Sequence, residues 1–178
     1  LKFAADFGSM KNAYFTAQSS GSGGRFYGLN YSQGWIYAVG SWKGNADNPA
    51  ITNDASQGFS HDIDIVKLDT GLQLKARATV KGAADNAGYS IAADENGNVY
   101  LTGSYGAESC DFFSNGSPQP FTSRSTSKPS IFVAQLDSNF TFKWVNQPSG
   151  TPPDFDFTLT TPRIVWNPVL QRLFWSGY

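Results

Sequence analysis

The stretch Tyr89-Ser-Ile-Ala-Ala-Asp-Glu-Asn-Gly-Asn-Val-Tyr-Leu-Thr-Gly-Ser104 decides how the rest of the chain is read. Tyr89 to Ala93 is a short apolar strand, Asp94 to Gly97 holds turn chemistry, and Asn98 to Ser104 alternates between two faces. Asn96-Gly97 is the expected pivot of a β-hairpin, because an Asn-Gly pair between β-branched and aromatic residues tolerates the positive φ angles of a tight turn. The hairpin recurs. Aligning Gly40, Gly103 and Gly177 superimposes Trp35-Ile-Tyr-Ala-Val-Gly-Ser, Asn98-Val-Tyr-Leu-Thr-Gly-Ser and Arg172-Leu-Phe-Trp-Ser-Gly-Tyr, with spacings of 63 and 74 residues.

A second marker runs in step with the first. Leu1-Lys2, Leu74-Lys75 and Phe142-Lys143 open equivalent strands, and Ile63 to Asp69 returns 68 residues later as Ile131 to Asp137, each ending in Leu-Asp. The expected order in each copy is a hairpin, a loop, a third strand, a turn at Thr70-Gly71 or Ser138-Asn139, and a fourth strand over Leu72 to Val80 or Phe140 to Val145. Phe26 to Asn30 and Trp35 to Ser41 form the first hairpin, with Gln33-Gly34 at its turn; Arg163 to Asn167 opens the third copy. Leu1 to Phe7 reads as the outer strand of a preceding unit, and Ala13 to Ala17 as a short apolar piece in a polar connection. The chain divides into 1–7 (outer strand), 8–80 (a unit with a long entry), 81–148 (a second unit) and 149–178 (half of a third).

Four strands in about 65 residues, with no helical stripe, is the arrangement of a β-propeller built from meandering antiparallel blades. Gly88 to Gly103, followed by Ile131-Phe-Val-Ala-Gln-Leu-Asp137, resembles the SBBP type of β-propeller repeat, found in bacterial and other secreted or surface proteins. Phe112, Trp144 and Asn139, the last standing where the family usually has Gly, fit the same resemblance. It implies a seven-bladed ring. The first and third copies replace the Asp-x-x-Gly-Asn turn with Tyr31-Ser-Gln-Gly and Pro168-Val-Leu-Gln. The fold expected is therefore all-β, about two and a half blades of an incomplete ring. Its partners would be further blades of the same polypeptide, or neighbouring chains that complete the propeller.

Composition excludes several classes. The chain has 178 residues, 40% hydrophobic and 15% aromatic, which is ample for a core. Thirteen basic and fourteen acidic residues leave a net charge of −1, so no broad field draws in nucleic acid or an anionic membrane. No apolar run is long enough to span a bilayer as a helix. The single cysteine, Cys110, is expected as a small, partly buried hydrophobe in a Phe-rich loop, with pairing to a cysteine outside these residues as the alternative. Sequons stand at Asn30, Asn115 and Asn139, the last at a turn and the best placed.

No cofactor is implied, and each arrangement with possible chemistry has a structural competitor. Asp94, Asn96 and Asn98 alternate as oxygen donors in the manner of a calcium loop, but the glycine is misplaced for an EF-hand and no Glu closes the site. Asp62 with Asp64, and Asp154 with Asp156, share strand faces, where solvation alone accounts for them. His61 is the lone histidine, without a nucleophile motif. Trp42, just past a strand end, is the aromatic residue best placed for a binding rim. These readings lead to a noncatalytic extracellular or cell-surface scaffold or adhesion module, with the loops Trp42 to Ser60 and Gly106 to Pro129 on display. The alternative is a glycan- or small-molecule-binding propeller domain, attached to an enzyme in one version.

Overall fold

A computed structural model describes residues 23–43, 46–47, 50–51, 61–82, 84–105, 110–121, 130–147 and 161–176. The expectations for Leu1 to Phe7, Ala13 to Ala17, Asp154, Asp156 and Gly177 lie outside these residues. Among the described residues every regular element is a strand, and none is a helix long and apolar enough to cross a membrane. The first sheet begins with β1 (Gly23–Ser32) and β2 (Trp35–Lys43); two short strands, β3 (Ala46–Asp47) and β4 (Ala50–Ile51), pair with each other. Next come β5 (Asp62–Leu68), β6 (Leu74–Gly82), β7 (Ala87–Ala93), β8 (Val99–Tyr105), β9 (Cys110–Ser114) and β10 (Ser117–Gln119). The chain continues through β11 (Ser130–Leu136), β12 (Phe142–Asn146), β13 (Arg163–Asn167) and β14 (Arg172–Ser176).

All ladders are antiparallel. The second sheet runs β7-β8-β11-β12, and β1-β2-β5-β6 repeats that order in the first; β13-β14 is a third hairpin. The copies agree to the residue. Gly40 pairs with Phe26 and Gly103 with Gly88, each just before a bulge that leaves Tyr27 or Tyr89 unpaired. The reason for glycine is local: a Cβ on Gly40 would lie 1.9 Å from the Arg25 carbonyl oxygen, and one on Gly103 would lie 2.6 Å from that of Ala87. The first strand crosses the second there, and only a residue without a side chain admits it. A second bulge recurs between the third and fourth strands, where Lys75 and Lys143 are the extra residues.

The first two sheets meet across apolar faces. Tyr37, Val39, Ile63, Ile65, Ala78 and Val80 of the first sheet meet Ile91, Val99, Leu101, Phe132, Ala134 and Leu136 of the second in one buried core. At its centre Phe112 packs edge-on against Phe132 and Phe142, with ring centroids 5.4 and 5.1 Å apart. The innermost strands lie side by side, β7 against β1 on one flank and β13 on the other. Ser90 Oγ accepts the Ile164 N–H at 3.2 Å, and Trp166 stacks on Tyr100 at 5.7 Å. These are blades of a propeller that does not close within the described residues.

One connection departs from a simple meander. Residues 110–119, between the second and third strands of the second sheet, fold into the β9-β10 hairpin and pair with β6, so the first sheet has six strands. Cys110, Phe112 and Ser114 point inwards, and Asn115-Gly116 makes the turn at φ 49° and 82°. The expected display loop Gly106 to Pro129 is thus in part a structural insert. Cys110 belongs to a strand rather than a loop. On its other face the first sheet buries a second cluster, Ala38, Val66 and Leu68 with Phe26, Ile36, Leu72 and Leu74 against them, while Leu29 and Tyr31 of β1 are 68% and 53% exposed; on the last hairpin Val165 and Phe174 are 59% and 51% exposed.

Replacing Gly103 by Ala forces the Ala87 carbonyl and the Phe132 ring to give way. The expected cost is about 2 kcal/mol, read as a fall in Tm of roughly 4–8 °C by calorimetry. The same substitution at exposed Gly34, where a Cβ meets nothing within 4 Å but φ is positive, should cost about 1 kcal/mol.

Candidate functional site

The insertion creates a cleft of about 410 Å³ at the β6–β9 junction. Its walls come from two repeats: Arg77, Ala78, Thr79 and Lys81 on β6, Phe113 on β9, and Asn115-Gly116 at the turn. Arg77, Thr79 and Lys81 share one strand face because residues two apart do so, and Phe113 is the register partner of Thr79. The Lys81 ammonium lies 5.4 Å from the centroid of the Phe113 ring. Arg77 Nε donates to Asp64 Oδ1 at 2.6 Å, which fixes the guanidinium beside a buried carboxylate. Asp111 is the register partner of Lys81 across the ladder. The surface is therefore aromatic and rich in hydrogen-bond donors without being strongly charged. The sequence reading singled out no cleft residue except Asn115. The signal available was Asp111-Phe-Phe-Ser-Asn-Gly-Ser117, an alternating run around an Asn-Gly pair.

The oxygen donors of Asp94, Asn96 and Asn98 belong to a turn device used three times. Asp69, Asp94 and Asp137 each accept, at Oδ1, the N–H groups two and four residues ahead: Gly71 and Gln73 at 2.9 Å, Asn96 and Asn98 at 2.9 and 2.8 Å, Asn139 and Thr141 at 3.0 and 3.1 Å. The third residue closes the turn at positive φ, 61° at Leu72, 80° at Gly97 and 64° at Phe140. The sixth reaches Oδ2: Lys75 at 2.9 Å, Tyr100 at 3.2 Å, Lys143 at 3.8 Å. Asn98 Nδ2 also donates to Asp94 Oδ2, at 2.7 Å. N–H and O–H donors thus engage both oxygens of the Asp94 carboxylate, the turn role that competes with a calcium loop. The two-residue pivot at Asn96-Gly97 is corrected, since only Gly97 has positive φ. The fourth strands start at Leu74 and Phe142, two residues later than expected, because Leu72 and Phe140 are spent on the turns.

Other expected sites have moved inwards. Trp42 lies within β2, only 2% exposed, its ring packed over Gly24, so it offers no stacking face at a rim. Asp62 and Asp64 are buried rather than solvated; Asp62 Oδ1 accepts the Gly82 N–H at 3.3 Å and Asp64 holds Arg77. His61 precedes β5 at the surface, with Nδ1 3.0 Å from Asp85 Oδ1. Cys110 is a buried free thiol, its pKa pushed up to about 12 by burial and then by the charge of Asp111. A buried thiol of this kind behaves as a small hydrophobe of the core. Among the described residues no three His, Cys, Asp or Glu side chains converge as a metal centre requires. Asn139 and Asn115 are exposed at neighbouring turns, the Asn115 amide donating to the Asn139 carbonyl at 3.3 Å. Asn30 is half-buried in mid-strand opposite Tyr37, with Oδ1 shut off from solvent.

Residues 82–104 match the family model SBBP, described as a beta-propeller repeat. The matched stretch covers the β7-β8 hairpin and its Asp94 turn. No curated protein matches the chain.

The backbone N–H of Gln73, and next the Lys75 ammonium, hold the Asp69 carboxyl below its ordinary value. A depressed pKa in the folded state adds stability above the unfolded value of about 3.9, and that stability is lost as pH falls below it through the folded value. Asp69→Asn should therefore be less stable than wild type at pH 7. The difference should shrink on acidification below about pH 4, as followed by urea denaturation across that range.

Proposed function

We propose that this chain is part of a noncatalytic interaction module of the propeller type, acting outside the cell or at its surface as a scaffold or adhesion unit. The observation that carries this reading is how the polar and apolar side chains are used. Groups suited to acid–base or nucleophilic work are committed to holding the fold: Asp69, Asp94 and Asp137 close turns, Asp64 holds Arg77, and the Cys110 thiol is buried. Large apolar side chains are instead exposed on the outward faces of the end sheets, at Leu29, Tyr31, Val165 and Phe174. Such faces accept another sheet of the same kind, so further blades of the same polypeptide or neighbouring chains are the partners. A second reading, a glycan- or small-molecule-binding module, is favoured by the β6–β9 cleft, which is within the usual range of small-ligand sites, about 300–1,000 Å³.

Sedimentation velocity tests the docking faces. Residues 1–178 alone should associate in a concentration-dependent way, and Leu29→Asp with Phe174→Asp should suppress that association. A compact, cooperatively melting monomer for the unmodified chain would contradict the proposal. The cellular location is tested separately by surface biotinylation of intact source cells, which should label the protein.

A further inference from the structure

We propose that the β6–β9 cleft is the seat of an N-linked sugar carried on Asn115, so that the first N-acetylglucosamine packs against the protein instead of projecting into solvent. The inference rests on the extracellular reading for the native protein, since the lipid-pyrophosphate oligosaccharide is met on the route by which proteins are exported. In that reaction the Asn115 carboxamide nitrogen bonds to C1 of the first sugar and loses one proton. The pyrophosphate leaves with the electron pair of the broken C1–O bond.

Three observations converge on Asn115 rather than on the better-placed turn at Asn139. First, Asn115-Gly116-Ser117 is a sequon at the apex of a two-residue turn, with Asn115 and Gly116 at φ 49° and 82° and all three residues exposed. Second, Phe113, on the strand that runs into the turn, borders the cleft together with Asn115. A sugar on Asn115 that enters the cleft meets this ring, on which the apolar C–H face of a pyranose stacks. Third, the opposite wall offers the Thr79 hydroxyl with the Arg77 and Lys81 side chains, matched to sugar hydroxyls and to the acetamide carbonyl. The Asn115 nitrogen keeps one hydrogen after the reaction and so remains a donor for the Asn139 carbonyl. Asn139 is also exposed but is not among the residues that line this cleft, and Asn30 sits half-buried in a ladder. The sugar would bridge β6 and the inserted hairpin, tying together two repeats.

The test uses the chain secreted from a eukaryotic host, with its glycans trimmed enzymatically to the single first sugar. Peptide mapping should find Asn115 occupied and Asn30 bare. The trimmed protein should melt about 2–4 °C above Ser117→Ala, which lacks only that sequon. Thr141→Ala, which removes the Asn139 sequon, should show no such loss. Adding Ser117→Ala to Phe113→Leu or Phe113→Ala should lower the melting temperature by less than half of what it does in wild type, because the stacking face is already gone; the leucine variant preserves folding volume if the alanine variant fails to fold. A bare Asn115, equal melting of wild type and Ser117→Ala, or a gap that persists undiminished without Phe113 would each overturn the proposal. An intracellular location in source cells would remove the native sugar while leaving this host-made difference intact, so the two readings fail separately.

Discussion

A four-stranded antiparallel sheet that is apolar on both faces cannot stand alone in water, and this constraint governs the molecule. The second sheet satisfies it against the first through Phe132, Leu101 and Leu136, and against the third hairpin through Ser90 and Tyr100. Tyr37, Tyr105, Phe112, Phe132 and Phe140 are the largest of the fully buried side chains, and all five lie between the first two sheets. Burying each contributes roughly 1.5–3 kcal/mol against leaving it exposed, far more than any single turn or ion pair here. The first sheet also buries Ala38, Val66 and Leu68 on its other face, while Leu29 on β1 and Phe174 on β14 stay exposed.

The inserted hairpin turns neighbouring sheets into one body. Without β9 the outer edge of β6 would present unpaired N–H and C=O groups, the usual template for unwanted strand pairing. With it, the exposed edge passes to β10, which is short and carries Pro118. Proline removes a donor from that edge and discourages further addition. The same insertion places Phe112 at the centre of the core and Phe113 at the surface cleft, because successive residues of a strand face opposite ways. One element therefore serves both cohesion between repeats and the candidate ligand surface.

Much of the fold could be read from local chemistry. The Gly40 and Gly103 alignment held because a backbone crossing leaves no room for a side chain, and Leu74-Lys75 with Phe142-Lys143 held because the lysine fills a bulge and returns to an aspartate. The turns were harder. An aspartate-headed turn that places Leu72 and Phe140 at positive φ uses residues seldom found there, whereas Asn96-Gly97 imitates a tighter turn that the Asp94 carboxylate overrides. The cleft was hidden for a different reason. It joins β6 to residues 110–116, and a ladder between distant segments leaves no periodic trace in either. Trp42 misled in the same way, since its burial depends on Gly24 across the sheet rather than on its own neighbours.

The central claim is that residues of one repeat complete the sheet of the one before it. Asn115 donates its N–H to the Arg77 carbonyl at 3.2 Å, and alternation along β6 then turns the Thr79 and Lys81 amides towards β9. Site-resolved hydrogen exchange measures those amides directly. The account predicts protection at Thr79 and Lys81 comparable with that of Ile65 in the interior strand β5. Exchange at the rate of an open edge strand at both positions would contradict it.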